Sequence, residues 1–99
     1  PARAVTCGVR LEEVLRDRGI AIRAGVHTGE AERADGTLRG LAVHIAARVM
    51  AAAEDGGILV TSTVHDLVVG SGIEFADRGT HELKGVPGSW TLFEVAAAP

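Results

Sequence analysis

The residues best suited to hold a charged ligand are His44 and Arg48, in the stretch GLAVHIAAR from Gly40 to Arg48. They stand at i and i+4, so a helix projects both from one face. Around them Leu41, Ala42, Ile45, Ala46, Val49, Ala52 and Ala53 spread apolar side chains over most of the helix surface, which predicts a largely buried helix. A guanidinium is rarely buried without an anion. Both residues lie near a helix start, where unpaired backbone N–H groups favour negative charge. The chemistry this stripe offers is capture of a phosphate-bearing ligand. Its structural alternative is an Arg paired with a local carboxylate and a His satisfied in the core. A third cation, Lys84, precedes Gly85 in a Gly- and Pro-rich stretch, and is either a phosphate contact or a solvated loop lysine.

Other chemistries lack their motifs. There is no GxxxxGK[ST] phosphate loop, no GxGxxG dinucleotide turn and no GxSxG elbow. His27, His44, His65 and His81 have no metal-ligand spacing. Asp35, Asp55, Asp66 and Asp77 fall in turns or helix starts, and none forms a strand-borne pair of the kind two-metal chemistry requires.

The elements that must position these residues follow from periodicity. Residues 2–18 read as a helix with Ala4, Cys7, Leu11, Val14 and Leu15 inward and Arg10, Glu13, Arg16 and Asp17 toward solvent. Ile20 to His27 reads as a strand with Gly25 and His27 on one face. Gly25 permits close approach of a backbone or ligand, and His27 is expected to be a hydrogen-bonded structural histidine. Glu30 to Arg33 extends that region, and Ala34-Asp35-Gly36 is a turn. Glu54 to Gly57 ends the organising helix, Ile58-Leu59-Val60 is a central buried strand, and Thr61 or Ser62 caps a short helix to about Val69. Ile73 to Leu83 is a strand broken near Asp77-Arg78-Gly79. Residues 84–88 are a tight loop, Trp90 to Val95 is the hairpin partner, and residues 96–99 are a frayed tail.

The chain has 99 residues, enough for one domain, and a formal charge of −3. That charge argues against a nucleic-acid surface, and two Phe with one Trp and no Tyr leave no stacking platform. No apolar run reaches membrane-span length, no signal-peptide pattern opens the chain, and the single Cys7 excludes an internal disulfide. These features lead to an expected cytoplasmic location. The chain opens at Pro1-Ala2-Arg3 directly into a helical pattern, like a piece of a longer domain.

Three stretches in order resemble the class III adenylate/guanylate cyclase catalytic domain: IRAGVHTGE from Ile22, GLAVHIAARVMAAAEDGGILVTS from Gly40, and FADRGTHELKGVPGSWTLFEV from Phe75. The likeness implies an α+β, α/β-sandwich, ferredoxin-like cyclase fold that is partial here, with residues 1–99 as its C-terminal portion and its N-terminal strands absent. It implies conversion of ATP to cyclic AMP and pyrophosphate at a dimer interface, in a homodimer or domain-swapped assembly. By resemblance Arg48 takes the role of a transition-state arginine. His44 occupies the place of an asparagine, Thr37 that of a base-reading Asp, and Lys84 that of a phosphate-contacting lysine. Val86 stands where a second basic residue is often found. The cofactors implied are Mg²⁺ or Mn²⁺, on two Asp residues that precede the matched region, so the 99-residue chain alone is expected to be inactive. The competing expectation is a non-catalytic cyclase-homology module for dimerisation or regulation. A ferredoxin-like small-ligand domain unrelated to cyclases requires the central motif to be coincidence.

Overall fold

The computed structural model describes residues 1–29, 32–34, 37–53 and 56–99, with backbone alone for 32–34 and 37–39. In chain order the elements are α1 (Ala2–Asp17), β1 (Arg23–Val26), β2 (Glu32–Ala34), β3 (Thr37–Arg39), α2 (Leu41–Ala51), β4 (Gly57–Thr61), α3 (Ser62–Leu67), β5 (Glu74–Glu82) and β6 (Ser89–Ala97). Four strands form one sheet in the order β1-β4-β6-β5, and β2 and β3 form a separate antiparallel pair. β1 and β4 are parallel, because the chain between them returns through α2, as parallel neighbours require. The remaining pairs are antiparallel. The turn expected at Ala34-Asp35-Gly36 has its central residues outside the described ones, as do Glu54 and Asp55 of the α2 stop.

The class is α+β, with helices on both faces of the sheet. Side-chain alternation sends Leu59 and Leu92 toward α2, where they pack with Ile45, Val49, Leu83 and Val86. Val60, Phe93 and Val95 point the other way, against Val5 of α1 and Val64 of α3. β4 is the apolar centre: Ile58, Leu59 and Val60 are all buried, as a strand covered on both faces should be.

Five details depart from the sequence-based expectations. β1 is shorter than Ile20 to His27, because its partner β4 is only five residues long and reaches no further than Gly57–Thr61. β6 runs to Ala97, paired with Glu74, so the expected tail is half strand. The inward face of α1 carries Val5 and Gly8, while Cys7, Leu11 and Val14 are exposed. Gly8 decides this: Ile58 Cδ1 fills the space where its side chain would stand, 3.2 Å from a Cβ there. α2 is buried on one side only, at Ile45 and Val49, whereas Leu41, Val43 and Met50 reach the surface. The sheet covers one side of α2, and its other side has no cover among the described residues. Finally, Thr61 stands at the N-cap of α3 without a side-chain capping bond, because its hydroxyl is engaged elsewhere. The break expected near Asp77 is present as a register shift between Asp77 and Thr80. Among the described residues no helix is long and apolar enough to cross a membrane.

Candidate functional site

α2 sets the position of His44 and Arg48. The chain enters the helix through Gly40, at φ 133° and ψ 167°, a region open essentially to glycine alone. The helix then lies directly on β1. A Cβ at Gly25 would stand 2.4 Å from the Met50 nitrogen and 2.5 Å from the Ala46 carbonyl oxygen. The close approach expected at Gly25 is therefore that of the α2 backbone. Contact at this distance leaves the helix no freedom to slide toward the sheet. His44 and Arg48 are half-buried on the helix, one turn apart. The described ion pairs join Glu12 to Arg16 and Glu94 to Arg78, and Asp66 is hydrogen-bonded to His65. Arg48 enters none of them among the described residues.

Lys84 sits on a tight turn between two core anchors. Leu83 and Val86 are buried, and the Val86 N–H donates to the Leu83 carbonyl at 2.9 Å. Gly85, third of the four turn residues, has φ 78°, which fixes the turn and leaves the Lys84 side chain exposed. The burial of Val86 explains its departure from the basic residue implied by resemblance. It holds the loop to the core and offers nothing to a ligand. The turn lies against α2: a Cβ on Gly85 would be 3.0 Å from His44 Nε2. Forty positions apart in sequence, the histidine of the helix and the lysine turn thus meet. A cavity of about 510 Å³ opens on the turn, lined by Glu82, Leu83, Lys84, Val86, Gly88 and Ser89.

Thr37 lies in β3, where backbone alone is described, so its expected contact with a base lies outside the described residues. His27, one residue beyond β1, shares a 2.8 Å hydrogen bond between its Nδ1 and the buried Thr61 Oγ1. Its ring stands edge-on to Trp90 at 5.7 Å. Burial lowers its pKa below the ordinary histidine value, since the charged form loses hydration. It is the structural histidine the sequence leads one to expect. Its tie to Trp90 was not legible, because the two residues lie 63 positions apart in the sequence. His65 stacks on Phe93 at 4.0 Å, and His81 Nε2 donates to the Arg78 carbonyl at 2.8 Å, so neither joins the stripe. Among the described residues no three His, Cys, Asp or Glu side chains gather to hold a metal ion. The described donors therefore do not fit a divalent-metal pair.

The family model described as the Adenylate and Guanylate cyclase catalytic domain matches residues 6–96. "Putative adenylate cyclase 3" of Rhizobium meliloti (strain 1021) is 35% identical over 92 residues, covering 84% of this chain and 16% of that protein. The crystal structure of the adenylyl cyclase CyaB from P. aeruginosa superposes with a TM-score of 0.67 at 26% identity, over 96% of this chain and 54% of that one. The chain thus spans about a sixth of the first relative and about half of the second. The fold is a partial cyclase fold, and the chain belongs to the adenylate and guanylate cyclase catalytic domain family.

Proposed function

We propose that this chain supplies the phosphate-facing helix and lysine turn of an adenylate cyclase catalytic domain. In the proposed reaction the ribose 3′-oxygen of ATP bonds to the α-phosphorus. The bond from that phosphorus to the pyrophosphate leaving group breaks, and the 3′-hydroxyl proton is released. Arg48 forks onto phosphate oxygens as negative charge builds on them. His44 donates a hydrogen bond beside it, Lys84 adds a point charge, and Thr37 meets the base edge. The observation that carries this reading is the packing of the His44 imidazole against Gly85. It brings His44, one member of the helix stripe, against the turn that carries Lys84.

The site is completed, in this reading, by a second cyclase domain at a dimer interface. Mg²⁺ or Mn²⁺ are held by carboxylates outside these residues. The names of the relatives, both adenylate cyclases, favour ATP as the substrate. In the enzyme that carries this segment, Arg48→Ala is expected to lower kcat by about 10²- to 10³-fold, the cost of one preorganised transition-state donor. Cyclic AMP production at saturating ATP checks this, and a variant with undiminished turnover refutes the assignment. A non-catalytic dimerisation module is the second reading, favoured by the exposed Leu41, Val43 and Met50 and by the loss of a basic side chain at Val86. The same assay on the unsubstituted enzyme separates the two, since that module produces no cyclic AMP.

A further inference from the structure

The Lys84 turn is short and sits at the molecular surface, yet its phosphate role demands a fixed place relative to α2. Its base is tied at an unexpected point. The indole Nε1–H of Trp90 donates to the carbonyl oxygen of Pro87 at 3.2 Å, across the foot of the loop. Trp90 is itself met edge-on by His27, at a ring separation of 5.7 Å and an interplanar angle of 86°, an arrangement the aromatic quadrupole favours. His27 cannot swing away, because Nδ1 is bonded to the Oγ1 of fully buried Thr61. Beyond His27 the chain presses on the first turn of α2: a Cβ at Gly29 would be 2.9 Å from Ala42 Cβ and 3.7 Å from His27 Nε2. Two residues further along α2, His44 meets Gly85 and closes the circuit.

From this ring of contacts we propose that His27 and Trp90 are positioning residues, which hold the Lys84 turn in register with His44 on α2. Neither touches the nucleotide in this scheme. His27 fixes the ring plane of Trp90, Trp90 fixes the carbonyl of Pro87, and the turn between Leu83 and Pro87 is thereby set. Thr61 sets the rotation of His27. The proposal rests on the reading that Lys84 and His44 face a polyphosphate.

The test uses the 99-residue chain with inorganic tripolyphosphate as the probe, its affinity read by calorimetry. Amide hydrogen exchange at Val86 is read by NMR in the free protein. Trp90→Phe keeps an aromatic ring but removes the donor to Pro87. It should weaken tripolyphosphate about fivefold, the fold-change of one neutral hydrogen bond, and should speed exchange of the Val86 amide. Thr61→Val should act in the same direction, and Thr61→Ser, which keeps the hydroxyl, should restore both readouts. Lys84→Gln should weaken the probe by about tenfold or more while leaving Val86 exchange unchanged. If Trp90→Phe and Thr61→Val bind like the unsubstituted chain and protect Val86 equally, the brace is refuted. If Lys84→Gln costs no affinity, or the unsubstituted chain takes up no tripolyphosphate, the phosphate reading fails, and the exchange data still decide whether the brace exists.

Discussion

His27 carries its imidazole in a place where a proton is disfavoured, because burial strips hydration from the charged form. In the unfolded chain it titrates at about 6.5. As pH falls below that value the unfolded state takes up a proton before the folded state does. Folding stability therefore declines with falling pH in this window and levels off below the folded pKa. Chemical-denaturation midpoints across this range should show the decline, and His27→Gln should flatten it. At the helix, His44→Asn should preserve or raise cyclic AMP production in the enzyme carrying this segment. An amide N–H offers a hydrogen-bond donor in place of the ring, and paired turnover assays compare the two. That His44 and Arg48 stand one turn apart on a single helix was readable from spacing alone, because i and i+4 share a face. The burial of Val86 was not, since an apolar residue in a Gly-rich loop looks the same whether it faces water or core. The engagement of Thr61 was hidden for a related reason. A hydroxyl before a short helix reads as a cap unless a distant imidazole is known to compete for it.

At the scale of elements, the seat of α2 on β1 governs where Arg48 stands. Gly25→Ala would place a methyl group inside the backbone of the helix, where neither Met50 nor Ala46 can yield by a rotamer change. Overpacking of this kind costs about 1–3 kcal/mol, and each kcal/mol lowers the Tm of a domain this size by about 4–8 °C. Thermal unfolding followed by circular dichroism checks the loss. In the enzyme that carries this segment the substitution should also lower turnover, because α2 carries Arg48 with it. The sequence indicated a close approach at Gly25 but not which backbone makes it, since the crossover through α2 becomes definite only once β1 and β4 are paired. On α1 the apolar residues satisfy helical spacing on more than one face. The contact of Gly8 with Ile58 turned Cys7, Leu11 and Val14 outward, and a heptad count weighs only side chains that exist.

For the molecule as a whole, the strand order leaves β1 at one edge of the sheet, and α2 offers Leu41, Val43 and Met50 to solvent. Uncovered apolar surface beside an open sheet edge promotes association. Sedimentation velocity at rising concentration should show dimers or larger species, and Leu41→Glu should shift the distribution toward monomer. The chain alone, which spans about half of the cyclase structure it resembles, should produce no cyclic AMP from ATP with Mg²⁺ or Mn²⁺. A coupled pyrophosphate assay checks this. A mixed class of helices and strands and the order of the main elements were legible, because hydrophobic period changes sharply from element to element, while α+β rather than α/β came with the family resemblance. The extent to which α2 is covered was not, because periodicity shows that a face is greasy and not whether anything lies on it.

Trp90 is the sole tryptophan and the chain has no tyrosine, so the ultraviolet emission of the molecule originates at a single indole. That indole is anchored to Pro87 at the foot of the lysine turn. The protein therefore carries its own optical gauge at this spot. Any event that loosens or tightens the anchor changes the colour or intensity of the emitted light, with no dye attached.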